Sequence, residues 1–290
     1  MLIDTTLFGT TDKIEAAINR LKLYEPEEGY YLAFSGGKDS QCIYHLAKLA
    51  NVKFDAHYNV TSVDQPELIR FIKEHYQDVI FDYPKDESGK VLTMWNLIPQ
   101  YTIPPIRLVR YCCNKLKESS GEGRVTVTGV RWAESSRRKN RHGSVTLFGS
   151  KDRHTQGTIL NDDNDEARRT VENCYRTRKV IVNPIIDWLD EDVWEFLNNV
   201  IRVPHCELYD NGYKRLGCIG CPMGNTKGME KDFKLYPKYK DAYKRAFKRM
   251  IETRKSRNLE TVWKDEDDCF DWWVYRRKDD QQKLIKEMEM

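Results

Sequence analysis

The sequence predicts an α/β protein: a mainly parallel sheet with helices on both faces, followed by a helical C-terminal module. Three observations carry this. Short apolar runs alternate with amphipathic stretches, the pattern of strand–helix–strand units. A glycine pair, Gly36-Gly37, separates one such run from a helical stripe. Near the C-terminus, Tyr236, Tyr239, Tyr243, Ala246 and Met250 recur at i+3/i+4 spacing.

Taken in order, residues 11–24 read as an amphipathic helix with Ile14, Ala17, Ile18 and Leu21 on one face. Residues 25–29 form a turn, and residues 30–34 a buried strand. Ile43, Leu46, Ala47 and Ala50 mark the next helix. Residues 54–58 read as a second strand. Pro66 starts a helix that carries Leu68, Ile69 and Ile72, and residues 79–81 make a third strand. Residues 125–128 give another strand ending in Gly129-Val130-Arg131, and residues 180–182 one more. Residues 139–170 are polar and lack helical periodicity, so they read as a hairpin or a mobile insertion. Asp190 is expected to cap a helix carrying Val193, Trp194 and Leu197. A charged final helix is expected to end at Met290, with Trp272 and Trp273 in the core.

The 290 residues can hold one large domain, or a core plus a smaller module. Net charge is +3, which identifies no partner. No apolar run approaches the length of a membrane span, and the N-terminus lacks a signal pattern. A soluble cytoplasmic protein is expected, with no membrane partner. In a reducing compartment the eight cysteines are better explained by metal or catalysis than by disulfides.

Ser35-Gly36-Gly37-Lys38-Asp39-Ser40, between a strand and a helix N-terminus, has the chemistry of an anion site. Glycines let the backbone approach a ligand closely, and free N–H groups with the helix dipole favour negative charge. Lys38 adds a mobile cation, while Ser35 and Ser40 add hydroxyl donors. This is not the Walker A pattern, because Asp39 stands where Ser or Thr would bind magnesium.

Cys112-Cys113 and Cys218-Ile219-Gly220-Cys221 are the second organising feature. Four thiolates can hold zinc or an iron–sulfur cluster, and an adjacent Cys-Cys pair suits a [4Fe–4S] cluster better than a zinc knuckle. Cys42, Cys174, Cys206 and Cys269 lack such spacing and read as packing residues.

The hexapeptide resembles the PP-loop of adenine-nucleotide alpha-hydrolase-like enzymes. It is followed in order by Cys112-Cys113 with Lys115 and Lys117, by Gly129-Val130-Arg131 with Glu134, Ser135 and Arg138, and by Asn183-Pro184 with Asp187-Trp188. Asp192-Val193-Trp194, residues 208–213 and Gly217-Cys218 through Pro222 complete the series. Together these resemble the phosphoadenosine phosphosulfate (PAPS) reductase family, and most of all its iron–sulfur branch. That branch includes adenosine phosphosulfate (APS) reductases and Dnd-type DNA-phosphorothioation sulfurtransferases. The resemblance implies an adenine nucleotide (ATP, APS or PAPS, with Mg2+ as companion ion) held by its phosphate or sulfate end at residues 35–40. It implies a [4Fe–4S] cluster on Cys112, Cys113, Cys218 and Cys221 beside that end. The implied catalytic set is Lys38, Asp39, Lys115, Arg131 and Arg138, because developing negative charge needs fixed positive partners. Trp188 and Trp194 read as core, and Gly212 with Tyr213 as shaping a lid. The implied organisation is an N-terminal helix (1–28), a nucleotide-binding domain (29–225) and a basic helical module (226–290).

Sulfonucleotide reductases of the family attack sulfur with a cysteine in a Glu-Cys-Gly-Leu-His motif, which this chain lacks. Its last cysteine, Cys269, lies among Asp267, Asp268 and Asp271, neighbours that raise a thiol pKa. Residues 227–258 instead hold twelve Lys or Arg against four acids, a basic amphipathic helix whose aromatics pack inward and whose outer face suits a phosphate backbone. Three functions are consistent with this: ATP-dependent sulfur transfer to a nucleic acid or other acceptor through an adenylated intermediate, APS or PAPS reduction to sulfite, and a non-catalytic nucleotide or redox sensor. A sulfur donor or a thioredoxin-like reductant is the expected protein partner.

Overall fold

The computed structural model describes residues 2–6, 9–118, 120–134, 143–148, 158–160 and 179–275. Contacts divide the chain into two units. The first comprises Met1–Asn59, Pro66–Asp82 and Ser120–Leu216, and the second Val60–Gln65, Tyr83–Ser119 and Gly217–Met290. This partition does not coincide with a boundary at residue 225. Two internal segments and the stretch carrying Cys218 and Cys221 pack with the C-terminal helices, a long-range association with no local signature.

The first unit opens on a hairpin of β1 (Ile3–Thr6) and β2 (Gly9–Asp12), in the register Ile3 to Asp12. Asp12 then caps α1 (Lys13–Leu23), its carboxylate accepting the N–H of Ile14 at 2.8 Å. Ala17 and Leu21 are buried on the inner face. There follow β3 (Tyr30–Ala33), α2 (Lys38–Ala50), β4 (Phe54–Asn59), α3 (Pro66–His75) and β5 (Ile80–Asp82). After the excursion into the second unit come β6 (Val125–Val127), β7 (Val145–Phe148), β8 (Thr158–Leu160) and β9 (Lys179–Val182). The sheet order is β5-β4-β3-β6-β9-β7-β8. The first five strands run parallel, and β7 pairs antiparallel with both β9 and β8. The polar stretch 139–170 thus contributes a hairpin through its described residues.

Strand order positions the site. From β3 the chain moves outward through α2 to β4 and α3 to β5, then returns to β6 on the other side of β3. The carboxyl end of β3 is therefore a topological switch point, where ligands of parallel sheets lie. Residues 35–40 occupy it. Tyr30 and Leu32 are wholly buried, as expected of a strand covered by its neighbours.

Farther along, the short helix Asp190–Glu195 has Leu189, not Asp190, as its boundary residue. The Leu189 N–H donates to Asp192 Oδ2 at 2.7 Å. Asp192 also receives Lys13 Nζ at 2.6 Å in a buried ion pair. With Asp192 serving the helix start, the Asp190 side chain is left for other contacts.

The second unit is helical. In α4 (Met94–Tyr101), Thr93 Oγ1 accepts the Asn96 N–H at 3.3 Å and Asn96 Oδ1 accepts the Thr93 N–H at 2.7 Å, a reciprocal cap. The basic stretch forms two helices rather than one, Thr226–Leu235 and Pro237–Ser256. Proline lacks an N–H and starts a helix more readily than it continues one, so the break falls at Pro237. Tyr243, Ala246 and Met250 face inward as the stripe predicts, joined by Phe247 and by Trp272 and Trp273 from the helix Glu266–Tyr275. Each large side chain buried there contributes about 1.5–3 kcal/mol. Trp273 Nε1 donates to Pro105 O at 2.7 Å. Among the described residues no helix is long and apolar enough to cross a membrane. The expected final helix lies, beyond Tyr275, outside the described residues.

Candidate functional site

In the first unit, β3 delivers the chain to a turn that only glycine tolerates. Gly36 adopts φ +73°, and a Cβ there would come within 2.7 Å of Leu68 and Ile72 side-chain carbons on α3. Gly37 then opens α2 with no side-chain cap, leaving the helix N-terminus to a ligand or a neighbour. In this structure the neighbour is Tyr209, whose Oη accepts the Lys38 N–H at 2.9 Å. Burial pushes the Tyr209 hydroxyl well above its ordinary pKa. Ser40 Oγ donates to Gly37 O at 2.8 Å and Ser35 Oγ to Ser40 Oγ at 3.2 Å, so both hydroxyls brace the loop.

The charged groups converge here. Lys38, expected as a mobile cation, is held: its buried ammonium lies 2.8 Å from Asp190 Oδ1 and 3.4 Å from Asp39 Oδ1. Arg131, delivered by the end of β6, is also buried. Its Nε lies 2.7 Å from Asp39 Oδ1, its Nη2 2.5 Å from Asp190 Oδ1, and its Nη1 donates to Trp188 O at 3.2 Å. Burial opposes the guanidinium charge, yet Asp39 and Asp190 outweigh it and raise the Arg131 pKa. The hydrogen bond from Lys38, aided by Arg131, holds the Asp190 carboxyl below the usual carboxylate range. Gly129 keeps β6 close, since a Cβ there would lie 2.9 Å from the Asp39 carbonyl oxygen. A cavity of about 430 Å3 opens beside Asp190, with Glu191, Trp194, Glu195, Asn198 and Asn199 also in its wall.

In the second unit, Cys112 and Cys113 end the short helix Tyr111–Cys113, which widens into a π-type turn over Asn114–Glu118. Cys218 and Cys221 flank a tight turn in which the Cys221 N–H reaches Cys218 O at 3.2 Å and Gly220 adopts φ +68°. Asp64 and Cys218 form an isolated bridge, and Thr61 Oγ1 lies 3.6 Å from Cys218 Sγ. The four thiols share one electrostatic neighbourhood. The hydrogen bond between Cys112 and Cys113 raises the Cys112 pKa and lowers that of Cys113. Cys218, Cys113 and Asp64 together raise the pKa of Lys117, whose ammonium hydrogen-bonds Cys218. Among the described residues no three His, Cys, Asp or Glu side chains converge as a single metal ion requires. Thiols are a donor type for either zinc or an iron–sulfur cluster.

The structure thus gathers Lys38, Asp39 and Arg131 with Asp190 and Tyr209, and Cys112, Cys113, Cys218 and Cys221 with Lys117. Lys115 is exposed in the second unit, one turn beyond the cysteine pair. Arg138, Ser135 and Cys174 lie outside the described residues. Trp188 is core, while Trp194 is half-buried with its ring edge-on to Tyr209 at 5.0 Å. Gly212, at φ +76°, closes the turn over residues 208–213. Cys42, Cys206 and Cys269 are buried packing residues. The helix Pro237–Ser256 exposes Lys238, Arg245, Lys248, Arg249 and Lys255 on its outer side.

A profile of the phosphoadenosine phosphosulfate reductase domain matches residues 29–224. The chain is 24% identical over 227 residues to an uncharacterized protein of Methanocaldococcus jannaschii, covering 72% of this chain and 40% of that protein. A stretch of 46 residues is 44% identical to adenosine 5'-phosphosulfate reductase of Oceanobacillus iheyensis, covering 16% of this chain and 19% of that enzyme. The chain spans less than half the length of these curated relatives. Among solved structures, PAPS reductase from Candida auris in a phosphate complex aligns with a TM-score of 0.44 at 14% identity, covering 70% of this chain and 88% of that one.

Proposed function

The chain belongs to the phosphoadenosine phosphosulfate reductase domain family, and on that premise we propose that it is an enzyme that uses ATP to activate an oxygen of an acceptor for replacement by sulfur. One observation carries the nucleotide half: two buried cations, Lys38 and Arg131, flank an uncapped helix N-terminus at the switch point of the sheet. The loop N–H groups and Lys38 bind the β- and γ-phosphates, while Arg131 faces charge developing at the leaving group. The acceptor oxygen attacks the α-phosphorus, the α–β anhydride bond breaks and pyrophosphate leaves. A sulfur nucleophile then displaces AMP from the adenylated acceptor.

Cys112, Cys113, Cys218 and Cys221 would hold the [4Fe–4S] group, which when bound supplies sulfide and electron-transfer chemistry. Lys117 places positive charge beside Cys218. The acceptor we propose is a nucleic acid, met by the exposed cations of the helix Pro237–Ser256. Sulfonucleotide reduction is the second reading, favoured by the 46-residue likeness to APS reductase. Against it, the side chain of Cys269 is wholly buried, so it presents no thiol to a sulfate.

The test is a paired assay on anaerobically purified protein. One arm offers ATP with bulk tRNA or DNA and follows pyrophosphate. The other offers APS or PAPS with thioredoxin and follows sulfite. Pyrophosphate that depends on nucleic acid is the expected result. Sulfite without it would replace this reading by the second.

A further inference from the structure

Lys38 and Arg131 put two cations in a nearly dry setting, their side chains 7% and 2% exposed. Buried charge persists only against counter-charge. Two carboxylates supply it, and the four formal charges cancel. The two carboxylates differ in kind. Asp39 belongs to the first turn of α2 and to the loop itself, with its side chain 28% exposed. Asp190 comes from a different helix, and its side chain is 71% exposed. One oxygen of Asp190, Oδ1, bridges Lys38 Nζ and Arg131 Nη2 at 2.8 and 2.5 Å while most of the side chain stands in water. The same loop has a second contact of this kind, because the Lys38 N–H is taken by the hydroxyl of Tyr209. Two acceptors from outside the loop therefore occupy a side-chain donor and a backbone donor of one residue. A phosphoryl group presents its oxygens to that same pair of donors.

We infer that Asp190 is an exchangeable counter-ion: in the free protein it holds Lys38 and Arg131 in position, and an incoming phosphoryl oxygen displaces it. This rests on reading residues 35–40 as the phosphate site. Binding is then a swap of one anion for another, which keeps both buried cations paired throughout. Asp190 is the member that can leave, because its release returns an exposed carboxylate to water, whereas release of Asp39 would strand it beside the loop. The swap also lowers affinity. If the docked carboxylate occupies the site in about nine molecules of ten, the apparent Kd is about tenfold weaker than the intrinsic one. A merely structural Asp190 predicts the reverse, since its loss would let both cations wander.

The experiment is calorimetric titration with inorganic pyrophosphate at fixed ionic strength on wild type, Asp190→Asn, Asp190→Ser and Lys38→Ala. Thermal melts accompany each titration, and serine is included as a second uncharged replacement, shorter than asparagine. Both Asp190 variants are expected to bind pyrophosphate about tenfold tighter than wild type, and Lys38→Ala to lose binding. Equal or weaker binding by folded Asp190 variants, with Lys38→Ala still defective, would overturn the inference and leave the phosphate site standing. Wild-type affinity in Lys38→Ala would remove the phosphate site itself, and the inference with it.

Discussion

Gly220→Ala tests the geometry of the cysteine turn. Gly220 lies between Cys218 and Cys221 at φ +68°, where an L-residue pays about 1–2 kcal/mol. An added Cβ would overlap Phe233 Cζ and lie 3.1 and 3.2 Å from the two Cε atoms. That ring has nowhere to turn, with Phe270, Tyr243 and Trp273 at centroid distances of 4.9, 5.7 and 5.9 Å. Overpacking of this kind costs about 1–3 kcal/mol, which brings the expected loss to about 2–5 kcal/mol. The Gly220 N–H also donates to Asp232 Oδ2 at 3.0 Å, so displacing the turn breaks a bond to the Thr226–Leu235 helix. Urea denaturation followed by tryptophan fluorescence reads the stability loss, and iron per chain after anaerobic reconstitution reads the turn. Gly217→Ala is the comparator, because its Cβ would meet nothing within 4 Å. It is expected to stay within about 0.5 kcal/mol of wild type. Equal midpoints for the two variants, with unchanged iron, would refute the reasoning.

Three further predictions follow from the same structure. Burial and then Lys48 lower the His45 pKa from 6.5 to about 4. The unfolded chain therefore takes up this proton first as pH falls, and stability present above pH 6.5 is lost progressively towards pH 4, by up to about 3 kcal/mol. His45→Gln should flatten that part of the stability profile, and parallel profiles would contradict the assignment. Cys218→Ser should abolish the visible chromophore and iron content of anaerobically purified protein while leaving pyrophosphate binding at the loop intact; retained iron would exclude the cluster. Arg245→Glu with Lys248→Glu should weaken nucleic-acid binding at least tenfold and flatten its salt dependence by about two units of slope, since each lost phosphate contact removes about 0.9. An unchanged slope in a filter-binding series would move the interface elsewhere.

The parallel sheet was legible because its strands are apolar and its helices periodic, and the PP-loop because six residues of fixed chemistry fall between a strand and a helix. Arg131 was legible too, as a cation directly after a strand end. Asp190 was not. Its sequence context reads as a helix cap, and its partners Lys38 and Arg131 lie 152 and 59 positions away. The β1–β2 hairpin escaped because Ile3–Thr6 and Gly9–Asp12 are short, polar and without alternation. Pro99 obscured α4, although it falls late in that helix, where the reciprocal Thr93–Asn96 cap had already set the start. The cysteine quartet was visible as spacing, whereas Thr61 and Asp64 reach Cys218 only through a bridge between distant segments.

The central claim is that ATP is cleaved between its α- and β-phosphates to adenylate an acceptor. Incubating anaerobic protein with nucleic acid and ATP labelled at the α-phosphate tests it most directly. The account predicts unlabelled pyrophosphate matched one for one by label in AMP and adenylated acceptor together, all dependent on nucleic acid and all lost in Lys38→Ala. Labelled ADP with inorganic phosphate would place cleavage at the wrong bond and contradict it.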